Sequence, residues 1–412
     1  MTANLKPTLL PLPLRIGVIG LGRAFTLMLP TLQADPRVRL VAATDPLEPA
    51  RRQFGIDFAV RADSSAEALC ARSDVDVVYI ASPHQFHTEH AVLAAAHGKH
   101  VWVEKPMALG LGDCTRMIEA TQVAGVQLMV GHSHSFDGPV LRTRQLIDSG
   151  DYGAVKMIHA FNYTDFLYRP RRPQELDTAA GGGVIYSQAA HQIDIVRLLG
   201  GGQVKSVRAF TGAWDSGRPT EGAYSALLGF ANGAFASATY SGYGHFDSDE
   251  LLGNIGEMGQ TKTVGDYGMA RKRLRSFLTA QDEIAAKAAR NYGGQNWQTT
   301  ARSATQAAHQ HFGHMVVSCE KADLRPDATG VAVYGDHEKR FDALPLPIIP
   351  RVEVIDELVN AVGLGQQPLH SGSWARASLA VCLAIQESAQ KGLEVVPAFQ
   401  TACQAGTQKA TA

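Results

Sequence analysis

The sequence of 412 residues predicts two folded parts, an α/β part with a parallel sheet and an α+β part with a largely antiparallel, open sheet. From Arg15 to about residue 149, short apolar runs alternate with helical stretches, which is typical of a parallel sheet covered by helices on both faces. Beyond about residue 150, apolar residues recur with a period near two, as in half-buried strands. The hydrophobic fraction of 45% provides for a large core and excludes wholesale disorder.

The first part contains five apolar runs that predict parallel strands. The runs lie at 15–20, 38–44, 75–81, 100–103 and 127–130. Helical stretches at 88–97 and 112–124 lie between runs, as expected where a helix connects one parallel strand to the next. We predict a doubly wound parallel sheet and assign this domain to residues 1–135.

The second part, residues 136–412, contains strands in which apolar and polar side chains alternate. The predicted strands are 156–162, 204–214, 223–230 and 234–241, and the predicted helices are about 184–199, 352–362 and 374–390. Asn232-Gly233 separates the last two strands and is a strong signal for a tight hairpin. The open face of this sheet is a candidate interface for a homo-oligomer, either a dimer or a tetramer. Residues 265–325 show no clear pattern, and we expect an excursion from this domain.

Composition limits the classes of protein to which the chain can belong. The formal net charge is only −1, which argues against a protein that binds nucleic acid or an anionic membrane. The five cysteines include no C-x-x-C pair, so a disulfide framework or a structural zinc site is not expected. Residues 1–13 lack the apolar core of a signal peptide, and the uncharged stretch 223–246 alternates like strands. We therefore predict a cytoplasmic protein with no membrane or nucleic-acid partner.

A glycine-rich turn follows the first predicted strand. Gly20 and Gly22 stand directly before a helix that begins near Arg23 and Ala24. Glycine at this point lets the backbone approach a pyrophosphate held at the helix N-terminus. Phe25 replaces the third glycine of the G-x-G-x-x-G pattern, so the motif alone fits an ordinary glycine turn equally well.

A carboxylate at the end of the second strand favours the dinucleotide interpretation. Asp45 lies 23 residues after Gly22 and can accept hydrogen bonds from the ribose hydroxyls of an adenosine. Its charge would repel a 2′-phosphate, so we predict NAD rather than NADP. The cofactor-binding residues predicted from this region are Gly20, Gly22, Arg23, Ala24 and Asp45.

Three later motifs turn this general prediction into a family resemblance. Ser82-Pro83-His84-Gln85-Phe86-His87 and Glu104-Lys105-Pro106 each follow a strand, and Gly181-Gly182-Gly183 precedes His191. In this order and spacing they resemble the glucose–fructose oxidoreductase/inositol dehydrogenase family (Gfo/Idh/MocA), over nearly the whole chain. The resemblance implies an NAD-binding Rossmann domain, an α+β substrate-binding and oligomerisation domain, and dehydrogenase activity. It also implies cofactor contacts from Ser82, Pro83, His84, His87, Glu104 and Lys105.

Lys105 is the first catalytic residue that the resemblance implies. Oxidation of a secondary alcohol needs a base for the hydroxyl proton, and a free lysine, with a pKa of about 10.4, is too basic to act well near neutrality. Desolvation and the positive nicotinamide ring would lower that pKa. The alternative is a surface lysine whose ammonium group extends into solvent.

His191 is the second catalytic candidate, because an imidazole has a near-neutral pKa that suits proton transfer. In the family an aspartate often lies four residues before this histidine, and here that position is Ser187. Asp194 could substitute in part, although we expect it to have a structural role. The alternative for His191 is a histidine that is simply part of the core.

Several histidines lie at short spacings that are also typical of metal ligands. They are His84, His87 and His90; His132 and His134; and His309, His311 and His314. No nearby acidic or cysteine set completes a tetrahedral site, so we predict no metal.

Within the family, residues 21–30, 163–173 and 242–249 resemble phthalate 4,5-cis-dihydrodiol dehydrogenases. The resemblance implies oxidation of 4,5-dihydro-4,5-dihydroxyphthalate with NAD, in aromatic degradation. Guanidinium groups pair bidentately with carboxylates, so clustered arginines would suit such a dicarboxylate diol. The predicted substrate-binding residues are Arg169, Arg171, Arg172, Tyr163, Tyr168 and His191.

Two other functions remain open at this stage. An enzyme of the same family that oxidises a sugar or an inositol would have an uncharged substrate and little need for the arginines. A non-catalytic, dinucleotide-sensing protein would bind NAD and oxidise no alcohol. The intact Glu104-Lys105-Pro106 disfavours this alternative, whereas Ser187 keeps it open.

Overall fold

A computed structural model describes residues 10–298 and 308–403, which form two compact units. Unit 1 comprises residues 10–132, 288–298 and 349–376, and unit 2 comprises residues 133–287, 308–348 and 377–403. The strands are β1 (Leu14–Ile19), β2 (Val38–Thr44), β3 (Val77–Ile80), β4 (His100–Val103), β5 (Leu128–Val130), β6 (Val155–Tyr163), β7 (Val204–Gly212), β8 (Ala223–Phe230), β9 (Phe235–Ser241), β10 (His314–Cys319), β11 (Ala322–Asp327), β12 (Gly330–Gly335) and β13 (Lys339–Ala343). The α-helices are α1 (Arg23–Ala34), α2 (Glu48–Phe58), α3 (Ala66–Cys70), α4 (His87–Ala96), α5 (Leu111–Ala124), α6 (Gly138–Asp148), α7 (Ala190–Gly200), α8 (Met269–Arg275), α9 (Ala280–Ala288), α10 (Val352–Gly363) and α11 (Gly372–Lys391).

Unit 1 is organised around a five-stranded sheet in the order β2-β1-β3-β4-β5. All neighbouring strands are parallel, which confirms the predicted doubly wound sheet. Every residue of β3 is buried, because helices cover both faces, and this explains its uninterrupted apolar sequence. The chain reverses its order between β1 and β3, and ligands of such sheets bind at the carboxyl ends of the strands at that point.

Residues 288–298 pack on the helices that flank this part of unit 1. The ring of Tyr292 meets that of Phe25 edge-on at 5.2 Å, and its backbone N–H donates to Oγ1 of Thr26 at 2.8 Å. Its hydroxyl donates to Asp57 at 2.5 Å. We expected residues 265–325 to belong to the second domain; these contacts attach residues 288–298 to α1 and α2 instead.

Unit 2 is organised around an eight-stranded sheet in the order β13-β12-β11-β10-β6-β9-β8-β7. Only β6 and β9 pair in parallel among its described neighbours, so the sheet is largely antiparallel, as predicted. Ile158 and Ala160 of β6 are buried on the face that carries α7, whereas Met157 and His159 point to the other, open face. The predicted hairpin joins β8 to β9, with Gly233 at a φ of +89°.

The structure differs from the sequence-based expectation in two local respects. The helix expected over 184–199 begins with a wider π-helical turn, Ile185–Ala189, before α7. Strands β10 to β13 extend the sheet through residues that the alternating pattern did not identify. Among the described residues, no helix combines the length and apolar character needed to cross a membrane, and most of the stretch 223–246 forms β8 and β9.

Candidate active site

The glycine turn of unit 1 has the geometry of a pyrophosphate site. Gly20 has a φ of +98°, and a Cβ atom there would lie 2.7 Å from the carbonyl carbon and oxygen of Ala81, so only glycine allows the loops after β1 and β3 to approach. Gly22 caps α1, and a Cβ at this position would meet no atom within 4 Å. The first turn of α1 contains no acidic residue, so its N–H groups and its dipole favour an anion. The residues present therefore fit a dinucleotide.

Asp45 stands at the end of β2 and faces this turn. One of its carboxylate oxygens accepts the backbone N–H of Leu21 at 2.7 Å, and the other accepts that of Leu47 at 2.8 Å. A carboxylate oxygen accepts more than one hydrogen bond, so capacity remains for the ribose hydroxyls. The guanidinium group of Arg51 donates to the backbone carbonyl of Asp45, which ties the start of α2 to the same corner.

An Asp45→Asn variant tests this assignment. We expect the KM for NAD to rise about tenfold, because a charged acceptor of ribose hydroxyls is lost. We also expect the preference for NAD over NADP to fall, because the repulsion of a 2′-phosphate is removed. Steady-state kinetics with both cofactors give the measurement. Glu48→Gln removes an equal charge three residues away and is the control; an unchanged cofactor preference in Asp45→Asn would contradict the assignment.

His87 joins two loops at the carboxyl ends of β3 and β4. It is fully buried; its Nε2 lies 2.9 Å from the carbonyl oxygen of Ser82, and its Nδ1 lies 3.1 Å from that of Pro106. Burial lowers the pKa of His87 to about 4, against the opposing effect of these carbonyl groups. Its ring thus connects the loop of Ser82 and Pro83 with the Glu104-Lys105-Pro106 segment. His84 begins the one-turn helix that follows Pro83.

Glu104 is held beneath the loop that presents Lys105. Its side chain is only 8% exposed, and the hydroxyl of Tyr79 donates to its Oε1 at 2.6 Å. The Tyr79 ring is itself fixed, because it stacks on Trp102 with 3.9 Å between ring centres. Burial raises the pKa of Glu104, while Tyr79, Lys105 and Arg351 act in the opposite direction. Lys105 is half-buried and precedes a cis peptide bond to Pro106.

A Tyr79→Phe variant tests the support of Glu104. We expect the free energy of unfolding to fall by about 1–3 kcal/mol, because a buried carboxyl group loses its hydroxyl donor. The folded-state pKa of Glu104 is raised, so stability is lost as pH rises through that pKa, and the loss grows without Tyr79. Urea unfolding should therefore show a larger deficit at about pH 8 than at about pH 5. Tyr267→Phe, at an exposed tyrosine, is the control; an equal deficit at both pH values would contradict this view.

His191 lies in unit 2 and is the second residue of α7, the helix that follows the π-helical turn. Such turns are frequent at functional sites. His191 is 6% exposed, and its Nδ1 accepts the backbone N–H of His134 at 3.3 Å. Its ring centre lies 4.7 Å from that of His134 and 5.2 Å from that of Phe312.

Ser187 and Asp194 have local partners in α7 and around it. The hydroxyl of Ser187 donates to the carbonyl of Gly183, one turn earlier. Asp194 accepts hydrogen bonds from the hydroxyls of Ser135 and Ser378, the latter at 2.6 Å. These contacts fit the structural role that we expected for Asp194.

The three arginines predicted to bind substrate have different environments. Arg169 forms an ion pair with Asp165 at 2.9 Å and remains 37% exposed. Arg171 lies over the ring of Phe166, at 3.6 Å from its centre, and burial lowers the pKa of Arg171 to about 10. Arg172 is exposed and pairs with Glu175. The three arginines therefore have different nearest partners.

Tyr163 and Tyr168 both line a pocket of about 540 Å³ in unit 2. The hydroxyl of Tyr168 donates to Asp215 at 2.9 Å, and the guanidinium carbon of Arg271 lies 3.9 Å from the centre of its ring. Segment 242–249, singled out by its resemblance, contributes Tyr243, Gly244, His245 and Phe246 to the lining. The sequence analysis had not identified the other lining residues, which are Trp214, Asp215, Ser216 and Ser241. The 214–216 segment carries no such resemblance, so the fold alone brings it to the pocket.

Comparison with known proteins agrees with this geometry. Residues 14–132 match a family model described as the oxidoreductase family, NAD-binding Rossmann fold, and residues 140–261 match the GFO/IDH/MocA C-terminal domain. The chain is 48% identical over 391 residues, 95% of its length and 98% of the relative's, to 1-carboxy-3-chloro-3,4-dihydroxycyclohexa-1,5-diene dehydrogenase of Comamonas testosteroni. The chain belongs to the Gfo/Idh/MocA oxidoreductase family. As in that family, its N-terminal domain is an NAD-binding Rossmann domain, and NAD is the cofactor.

Solved structures of this family resemble the chain as well. A crystal structure described as a putative dehydrogenase from Bordetella bronchiseptica RB50 has a TM-score of 0.87 and 42% identity, and covers 93% of this chain and 99% of its own. The WlbA dehydrogenase from Bordetella pertussis, in complex with NADH and UDP-GlcNAcA, has a TM-score of 0.65 at 22% identity over 93% and 98% of the two chains. The second likeness concerns the Gfo/Idh/MocA fold alone.

Proposed function

We propose that the protein is an NAD-dependent dehydrogenase of carboxylated cyclohexadiene cis-diols, with 4,5-dihydro-4,5-dihydroxyphthalate as the first candidate substrate. The observation that carries this proposal is the 48% identity, over 95% of the chain, to an enzyme named for a carboxylated dihydroxycyclohexadiene. The 163–173 and 242–249 segments, which resemble phthalate dihydrodiol dehydrogenases, contribute six residues to the lining of the 540 Å³ pocket.

The chemistry requires removal of one hydride and one proton from the same carbinol group. NAD, when bound, would supply the acceptor for the hydride that leaves the carbinol carbon. Lys105, in its neutral amine form, takes the hydroxyl proton, and the carbinol group becomes a ketone. The ketone then tautomerises to a catechol, and this aromatisation makes the oxidation strongly favourable. The protein mainly has to orient one C–H bond and receive one proton.

Arg169 is the arginine that we propose to bind a substrate carboxylate. It is part-exposed, and it interacts electrostatically with Glu257, which in turn contacts His134 beside His191. Burial would lower the pKa of Arg169, but Asp165 and Glu257 raise it above its usual value, so the guanidinium group stays charged. Arg171 lies over the ring of Phe166, and Arg172 pairs with Glu175.

A substrate panel tests the proposed function. We expect NADH to form with 4,5-dihydro-4,5-dihydroxyphthalate, more slowly with a monocarboxylated cyclohexadiene diol, and at trace rates with myo-inositol. Faster turnover of the monocarboxylated diol would indicate a substrate of the kind for which the Comamonas relative is named. Turnover of myo-inositol alone would contradict the proposal in favour of a polyol dehydrogenase, and binding of NAD without any turnover would favour a sensor.

We also propose that the protein acts in the cytoplasm as a homo-oligomer. The open face of the unit 2 sheet exposes apolar side chains on four adjacent strands, namely Met157, Phe210, Leu227 and Phe235. A second copy of the chain would cover them.

A further inference from the structure

His134 was singled out in the sequence only as part of a rejected metal pattern, yet its ring contacts two carboxylates. It is 2% exposed; its Nδ1 lies 2.7 Å from Oδ2 of Asp137, and its Nε2 lies 3.3 Å from Oε1 of Glu257. A neutral imidazole carries a proton on one nitrogen only, whereas an imidazolium donates from both. Two carboxylate partners on opposite sides of the ring therefore fit the charged form. Burial lowers the pKa of His134, but Asp137 and Glu257 outweigh this effect and raise it to about 9.

The charges around His134 keep this arrangement intact. Burial would raise the pKa of Glu257, but His134, Arg169 and His311 lower it to about 2, so its carboxylate stays ionised. Asp165 pairs with Arg169, and Asp249 lies 3.9 Å from His311. Tyr240, which packs against the same cluster, has a pKa raised by burial and stays neutral. His134 is thus a cation between two anions.

His191 receives two separate influences from His134. The backbone N–H of His134 donates to Nδ1 of His191, so this nitrogen is unprotonated and the single proton of the neutral ring lies on Nε2. The charged ring of His134 lies 4.7 Å from that of His191, and a second positive charge at this distance is unfavourable. Both influences act against an imidazolium at position 191.

We propose that His134 is a positioning residue that holds His191 uncharged, with its proton on Nε2. His191 then has no basic nitrogen available at Nε2, and it acts by donating a hydrogen bond from that atom. Within the proposed function, the acceptor is an oxygen of the diol or of its carboxylate, and Lys105 alone takes the proton. This part of the inference rests on the proposed function, whereas the protonation state of His191 does not.

Nitrogen NMR of the full chain with bound NAD tests the protonation state directly. In protein labelled with ¹⁵N-histidine, long-range ¹⁵N–¹H correlations distinguish a protonated ring nitrogen from an unprotonated one, and His191→Asn identifies the signals of His191. We expect His191 to keep an unprotonated Nδ1 and a protonated Nε2 from about pH 6 to about pH 8. A proton on Nδ1, or a doubly protonated ring within this range, would overturn the proposal.

A His134→Gln variant tests the role of the charge. Glutamine retains the backbone N–H and a side-chain donor but removes the positive charge. We expect His191 to titrate about one pH unit higher or more, followed in the same nitrogen spectra. His311→Gln is the matched control, because it also removes a histidine beside Glu257 but has no described contact with His191. This variant should leave the titration of His191 unchanged.

The outcomes separate this inference from the proposed function. A titration of His191 in His134→Gln that superimposes on that of the wild type would overturn the role of His134. If His134→Gln does not fold, the wild-type spectra still decide the tautomer. If no diol is oxidised but the spectra are as expected, the proposed function fails and the positioning role stands.

Discussion

Replacement of Lys105 by methionine is expected to lower kcat for diol oxidation by about 10³-fold, within the range for loss of a general base. Methionine retains most of the aliphatic side chain, so Glu104 and the loop after β4 should keep their packing. The affinity for NAD should change by a much smaller factor, because the glycine turn and Asp45 are untouched. Initial rates of NADH formation give kcat, and a fluorescence titration gives the affinity for NAD.

Two further observations make the Lys105 prediction specific. Lys99→Met removes another lysine of unit 1, whose ammonium group donates to the carbonyls of Arg72 and Val75, and should leave kcat nearly unchanged. Small exogenous amines should restore part of the activity of Lys105→Met, since they can take the hydroxyl proton. A kcat for Lys105→Met within tenfold of the wild type would remove this residue from the chemistry.

The second large effect concerns Arg169. We expect Arg169→Met to raise KM for a carboxylated diol about 30-fold, equivalent to about 2 kcal/mol for a lost charge-assisted contact. A cyclohexadiene diol without a carboxylate should show no such increase, because it never used the guanidinium group. Steady-state kinetics with the two substrates separate this effect from a general disturbance of the site.

Arg172→Met is the matched control for Arg169. Arg172 belongs to the same segment but is exposed and paired with Glu175, so its loss should leave both substrates nearly unaffected. Equal effects of the two variants, or an equal effect of Arg169→Met on the carboxylated and the uncharged diol, would contradict the proposed carboxylate site.

The fold could be predicted where local sequence patterns decide it. The buried strand β3 shows an uninterrupted apolar run because both of its faces are covered, and Asn232-Gly233 permits the tight turn between β8 and β9. Strand β11 escaped prediction because Pro326, a residue that disfavours strands, occupies one of its buried positions. The attachment of Tyr292 to α1 and α2 is a tertiary contact, and no local pattern encodes it.

The residues of the candidate site could likewise be predicted only where a local motif marks them. Lys105 and His191 stand in recognisable motifs, so the sequence identifies them directly. Tyr79 and Glu257 do not, because each acts on a partner that is distant in the chain: Tyr79 on Glu104, and Glu257 on His134. The predicted arginine cluster shows that closeness in sequence does not ensure a shared partner, since Arg169 pairs with Asp165 and Arg172 pairs with Glu175.

The central claim is that this chain transfers a hydride from a carbinol carbon of a carboxylated cyclohexadiene diol to NAD. Mass spectrometry of the reduced cofactor, formed from a diol with deuterium on both carbinol carbons, tests it most directly. We predict one deuterium in each NADH molecule formed and a dihydroxybenzene carboxylate as the product. Reduced cofactor without deuterium, or no reduced cofactor from any such diol, would contradict the claim.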